Sequence, residues 1–198
     1  MSDYANHRVL RFDFATKSFM DVFIHKGSGG LNKPWGLAFN KYDDAEQPRT
    51  FYVASDTTSS ILQYDACDGS FVKQFAVVPG QPRGIKFHVL PTAHKVPRQQ
   101  KVLLVCSAYG NTILKYNALT GSPLGTFATG VNMPWDVIIS PQSTGIARSP
   151  EDVFVSSARN DAIFQFQNTS GAFKSEFTDK KVRGAHSCMF GQDGLGSC

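Results

Sequence analysis

No apolar stretch in this chain is long enough to cross a bilayer as a helix, and no segment carries a helical stripe of useful length. A membrane is therefore not an expected partner. Charge is sparse and scattered: 18% of residues are charged, the net charge is +4, and the longest basic run is Lys180-Lys181. A surface that tracks phosphates needs clustered cations, so nucleic acid is not an expected partner either. The four cysteines, Cys67, Cys106, Cys188 and Cys198, form no Cys-x-x-Cys pair. The usual zinc and dithiol frameworks are therefore missing. His88 and His94 share one loop but lack a third ligand in sequence, so no metal site is expected. There is no nucleophile elbow, phosphate loop or His-Glu-x-x-His motif, and no cofactor is expected. Met1-Ser2-Asp3 runs straight into the main sequence without a visible signal peptide, which makes cytoplasmic the default expectation for localisation.

What the chain does have is one phrase written four times. It reads VLRFDFATKSF (Val9–Phe19), ILQYDACDGSF (Ile61–Phe71), ILKYNALTGSP (Ile113–Pro123) and IFQFQNTSGAF (Ile163–Phe173), with starts 52, 52 and 50 residues apart. A fixed period near this length marks supersecondary units that stack on their neighbours. Each unit carries three further aligned pieces. A Pro-led segment recurs as PWGLAF (Pro34–Phe39), PRGIKF (Pro82–Phe87), PWDVII (Pro134–Ile139) and, more weakly, VRGAHS (Val182–Ser187). A β-branched run ending in small residues recurs at Thr50–Ser55, Leu103–Ser107 and Val153–Ser157. A fourth piece centres on Phe23, Phe75, Phe127 and Phe177.

All these pieces are short, rich in Val, Ile, Phe and Tyr, and bounded by Gly, Pro, Asn or Asp, which is the pattern of strands. The turns at Asp68-Gly69, Thr120-Gly121 and Ser170-Gly171 supply the residue at positive φ that a tight hairpin needs. Four strands per unit, repeated, predict an all-β β-propeller of about four four-stranded antiparallel blades. Within a blade the Pro-led segment is the inner strand, where Gly36, Gly84 and Gly184 allow close approach to the axis. The second, third and outer strands follow in order. Long polar loops at Asn40–Arg49, His88–Gln100 and Ser140–Asp152 are expected on one rim.

The pattern at Val9–Phe14, Gly27–Phe39 and Phe51–Ser55 resembles the NHL-repeat family of β-propellers, and the resemblance runs from Ala5 to about Gly194. It implies a six- or seven-bladed relative, of which this chain covers about four repeats. That family includes interaction scaffolds, and its propeller relatives include streptogramin lyases, peptidyl-hydroxyglycine lyases and gluconolactonase-like hydrolases.

The chain reads as a single propeller unit over 1–198. Whole blades fall at about 34–77, 82–129 and 134–179, and half-blades at 5–24 and 182–198. Three arrangements fit: an open, partial propeller, a closed four-bladed ring in which the two terminal halves combine, and an arc completed by another copy. The open arc is the expectation, and open blade edges offer a route to self-association.

The residue after each inner-strand proline or its equivalent alternates: Trp35, Arg83, Trp135, Arg183. Equivalent positions form a ring about the axis, so these four are the candidate ligand-binding residues. They either stack as cation–π pairs between blades or line a pocket for a flat or anionic ligand. Asp136 stands where the other blades have glycine and is expected to pair with Arg83 or Arg183. His186 follows on the fourth inner strand. Together, Asp136 and His186 are the weak catalytic candidates, and they support the alternative reading of a propeller lyase or hydrolase fragment. The favoured reading is a non-catalytic binding or scaffold module for a protein or small ligand at the channel mouth. The serines of Ala54-Ser55, Cys106-Ser107 and Ser156-Ser157 recur with the repeat, so they read as strand-end residues and not as nucleophiles. Cys106 reads as a small buried residue and Cys67 as a solvent-facing thiol. A Cys188–Cys198 disulfide is conceivable only in an oxidising compartment.

Overall fold

The computed structural model describes residues 1–40, 50–90, 100–140, 151–178 and 182–187. These form four antiparallel sheets in chain order. Blade 1 holds β1 (Ser2–Asp3), β2 (Arg8–Phe12) and β3 (Phe19–Ile24). Blade 2 holds β4 (Pro34–Phe39), β5 (Thr50–Ser55), β6 (Ser60–Asp65) and β7 (Phe71–Val77). Blade 3 holds β8 (Pro82–Leu90), β9 (Gln100–Ser107), β10 (Thr112–Asn117) and β11 (Pro123–Ala128). Blade 4 holds β12 (Pro134–Ile139), β13 (Asp152–Ser157), β14 (Ala162–Gln167) and β15 (Phe173–Glu176). Apart from a single 3-10 turn at Ser28–Gly30, the described residues contain no helix. The fold is an all-β propeller array, and within each blade each strand pairs the next in sequence.

The cores lie between blades, and this explains why the second strands read as continuous apolar runs. Successive side chains of a strand point to opposite faces of its sheet. In β5, Phe51 and Val53 pack toward blade 1 with Val9, Ile24 and Leu31, while Tyr52 and Ala54 pack toward blade 3. In β9, Leu103 and Val105 join the blade 2 side, while Val102, Leu104 and Cys106 join Val153, Val155 and Phe166 of blade 4. Both faces of each middle blade are buried, so no polar alternation is required. The inner strands β4, β8 and β12 run side by side with β8 in the middle. Their spacing is set by glycine. A Cβ on Gly36 would strike the Arg83 carbonyl, and one on Gly84 would strike the Trp135 carbonyl and Asp136.

Several details differ from expectation. Ser2–Asp3 adds a strand to blade 1 by pairing with Arg8 and Val9. His88 lies in β8 and not in a loop; it is buried, and its Nε2 meets Asn168 Oδ1 of blade 4. The expected inner strand at Val182–Ser187 is instead a turn at Arg183–Gly184 followed by irregular chain. Most of the three long loops, His94, and the Cys188 and Cys198 pair lie outside the described residues. Cys67 is exposed and Cys106 is buried.

Candidate functional site

Each inner strand begins with a β-bulge, between Pro34 and Leu37, Pro82 and Ile85, and Pro134 and Asp136. A bulge breaks the pairing locally and re-aims a side chain. Here the bulges bracket Trp35, Arg83 and Trp135, and the three side chains meet at one end of the axis. The Arg83 guanidinium carbon sits 4.5 Å from the Trp35 ring centre and 4.2 Å from that of Trp135. The two indoles meet edge to face, with centres 4.8 Å apart and planes at 88°. Tyr4 closes the other side of Trp35 at 5.1 Å. The cation–π stack expected from the alternating pattern therefore joins blades 2, 3 and 4.

Arg83 is only 6% exposed. Its Nη2 lies 3.9 Å from Asp56 Oδ2, a loose ion pair, and that oxygen also accepts from Tyr4 Oη at 3.2 Å. Arg83 Nε, Asp56 Oδ1 and Trp135 Nε1 are buried without a hydrogen-bond partner among the described residues. Three orphaned polar atoms around one stack are unusual, because each forfeits hydration without compensation.

The fourth position of the ring is taken by His186 and not by Arg183. Its ring lies flat on Trp135, 3.7 Å between centres and 13° between planes. The register follows from backbone geometry. Lys33, Gln81 and Met133, each just before an inner-strand proline, have φ of 53°, 62° and 57°. Gly184 has φ of 57°. The N–H of Lys33 bonds His7 Nδ1 and that of Met133 bonds Asn111 Oδ1; the N–H of Gly184 bonds Asp161 Oδ1 in the same way. Gly184 is thus the counterpart of Met133, Ala185 of Pro134, His186 of Trp135 and Ser187 of Asp136. Arg183 falls in the turn before, exposed to solvent. The carboxylate nearest Arg83 in an ion pair is that of Asp56, while Asp136 makes hydrogen bonds of its own. Its Oδ2 accepts from Ser187 Oγ at 2.9 Å and its Oδ1 from the Val137 N–H.

Trp35, Trp135, Asp136, His186 and Ser187 line one cavity of about 350 Å³, floored by Gly36 and Gly84. A second, more apolar cavity of about 660 Å³ follows the other halves of the inner strands, along Leu37, Phe39, Phe87 and Ile138, with Arg11 and Lys86 at its polar edge. Asp136 lines both. The recurring serines belong to neither cavity. Ser55 Oγ donates to Asn32 O, Ser107 Oγ to Pro79 O, and Ser157 Oγ to Asn132 O. Each ties the segment before an inner strand to the end of the second strand.

No family model matches the chain, and no curated protein matches it. Among solved structures, it is similar to BBS1N, crystallised in complex with ARL6DN and soaked with lead. The identity is 15% and the TM-score 0.52, over 80% of this chain and 46% of that one. It is also similar to the computationally designed Ika8 protein, at 10% identity and a TM-score of 0.49, over 94% of this chain and 60% of that one. The chain spans about half the length of BBS1N. At such identity the likeness to BBS1N is one of fold, and it agrees with the propeller architecture; the NHL-repeat resemblance rests on the sequence pattern alone.

Proposed function

We propose that this propeller array is a non-catalytic binding module of NHL type whose ligand, a protein segment or a small molecule, is taken at the axial mouth around Trp35, Trp135 and His186. The observation that carries the reading is the convergence of both tryptophans, an imidazole and a carboxylate on one cavity. Aromatic walls with a few polar groups are the usual composition of a ligand site. Arg83 acts behind that wall. Its guanidinium holds the two indoles in place, while its burial keeps it from reading a ligand directly. BBS1N, crystallised with ARL6DN, is an example of a comparable array with a protein partner.

A second reading, a lyase or hydrolase site, draws on one fact: His186 and Asp136 share that cavity. An acid–base pair needs such a shared concavity. Against it, the Asp136 carboxylate is engaged by Ser187 and by the Val137 N–H.

Trp35 and Trp135 are the only tryptophans in the chain, so selectively excited tryptophan emission reports on this site. A fragment and peptide screen read by tryptophan emission tests the proposal. Saturable changes that vanish in Trp135→Phe, with the fold intact by circular dichroism, support it. Ligands that bind equally well to Trp35→Phe and Trp135→Phe remove it. Turnover of a lactone or ester probe that is lost in His186→Ala favours the second reading.

A further inference from the structure

The hairpin between the third and outer strands recurs in all four blades with one backbone geometry. In blade 1 the Asp13 N–H bonds Ser18 O and the Lys17 N–H bonds Asp13 O. The same two bonds join Asp65, Ser70 and Gly69, then Asn117, Ser122 and Gly121, then Gln167, Ala172 and Gly171. The residue that closes the turn has positive φ each time: 60° at Lys17, then 75°, 74° and 70° at Gly69, Gly121 and Gly171.

In blades 2 to 4 a second constraint demands glycine. A Cβ there would lie far inside contact distance of the preceding blade's outer-strand carbonyl, at Phe23, Phe75 and Phe127 respectively. The position three residues earlier is also small and tied to the blade before. Ala118 is buried and its carbonyl accepts from Asn40 Nδ2; Asn168 is buried and its Oδ1 meets His88. Blade 1 breaks both rules. Lys17 stands in the glycine position, and Phe14 stands where the other blades have Ala66, Ala118 and Asn168. Phe14 is almost wholly exposed, and Lys17 Nζ lies 4.0 Å from its ring centre.

Blade 1 has only three strands and lacks the inner strand of the other blades, but groups that the interior interfaces bury near this hairpin recur, exposed, on the outward faces of blades 1 and 4. Phe75 and Phe127 are 6% and 5% exposed, whereas Phe177, their counterpart on blade 4, is 60% exposed. Tyr64, Tyr116 and Phe166 are buried, whereas Phe12, their counterpart on blade 1, is 42% exposed. Near this hairpin, the leading face of blade 1 and the trailing face of blade 4 therefore carry the two sides of a blade contact, which departs from the interior ones there at Phe14 and Lys17.

We propose that the Phe14–Lys17 turn is a steric stop that prevents blade 1 from stacking on blade 4, whether in the same molecule or in a second copy. Docking in the geometry of the three interior interfaces would drive the Lys17 Cβ into the Phe177 carbonyl. It would also force Phe14 into a slot sized for alanine or asparagine. An exposed apolar blade face otherwise invites docking by another one.

The test compares the wild type with Phe14→Ala/Lys17→Gly, each with and without Phe177→Asp, by sedimentation equilibrium and thermal melting. The wild type is expected to stay monomeric, with mass and melting temperature nearly unchanged by Phe177→Asp. The double variant is expected to gain either mass, as copies join head to tail, or a higher melting temperature at monomer mass, as the ends join internally. Phe177→Asp then abolishes the gain. The proposal is overturned if the wild type already associates, or is strongly destabilised, through Phe177. It is also overturned if the double variant gains neither mass nor stability, or if its gain survives Phe177→Asp. Survival would mean that relief of the left-handed backbone at Lys17 is the whole effect.

Discussion

The His186 imidazole lies parallel to the Trp135 indole, 3.7 Å away, while the Arg83 guanidinium carbon stands 4.2 Å from the same indole. At these distances the two groups cannot share one face, so Trp135 is covered on both sides. His186 is itself exposed, so it is the removable cover. His186→Ala is expected to increase quenching of tryptophan emission by acrylamide. The stability cost is about 0.5–1.5 kcal/mol, the usual scale of one aromatic contact. Unchanged quenching would mean that His186 does not screen the mouth in solution.

Arg83 is expected to behave as a structural rivet. Arg83→Met removes the cation between two indoles and strands the buried Asp56 carboxylate, which costs about 3–5 kcal/mol. Adding Asp56→Asn should restore most of that loss, because the penalty lies chiefly in the uncompensated charge. Arg83→Lys keeps the charge but not the planar group that stacks, so it should fall between the two. Urea unfolding midpoints decide the order. A stable Arg83→Met single variant would show that the stack contributes little to blade docking.

The recurring serines make a different prediction. Ser157 Oγ donates to Asn132 O and accepts from the Asn132 N–H, both at 2.9 Å. Ser55 makes the same two bonds with Asn32. Ser157→Ala should cost at most about 1 kcal/mol, because the exposed Asn132 keeps its N–H bond to Asn160 Oδ1 and the bond from the Arg159 N–H to its carbonyl, whereas Ser55→Ala, with the half-buried Asn32, should cost about 1 kcal/mol or more. Ligand responses at the axial mouth should be unaffected. A loss of ligand response without a loss of stability would contradict the clamp role.

The blade repeat was legible in sequence because it rests on local signals: Pro-led inner strands, β-branched second strands and turn glycines. Trp35, Arg83 and Trp135 were legible for the same reason, since equivalent positions in a repeat converge by symmetry. Arg183 was misplaced because Val182-Arg183-Gly184 imitates Pro82-Arg83-Gly84 in letters. Spacing does not separate Arg183 from His186, because the distance between ring positions already varies, from 48 residues (Trp35 to Arg83) to 52 (Arg83 to Trp135). The deciding interaction is the Gly184 N–H to Asp161 Oδ1, which joins residues 23 positions apart. Asp56 was missed because its role depends on contacts with Arg83 and Tyr4 that no local pattern encodes. Lys17 and Phe14 depart from the repeat in sequence, but the consequence depends on the close approach of Gly69, Gly121 and Gly171 to the preceding blades, which the sequence does not encode.

Two buried phenols set how stability responds to high pH. Tyr64 Oη donates to Ser28 O at 2.7 Å and Tyr116 Oη donates to Val77 O at 3.0 Å. Burial pushes both phenols above the ordinary tyrosine value of 10.0. The unfolded chain therefore loses these protons first. Above about pH 10 the folded state binds more protons than the unfolded state, and the slope of unfolding free energy with pH turns negative. Stability is fully present below that pH and falls as pH climbs toward the raised folded values. Tyr64→Phe removes one such group. At neutral pH the variant should be less stable by about 1 kcal/mol, because one hydrogen bond to the Ser28 carbonyl is lost, although the Leu31 N–H still donates to it. Above pH 10 the wild type loses stability that the variant does not, so the gap between them should narrow. Urea titrations at stepped alkaline pH measure that gap directly. A gap that stays constant until both proteins unfold would mean that the Tyr64 phenol ionises as readily in the folded protein as in the unfolded chain, and that the blade 1–blade 2 core is open to water.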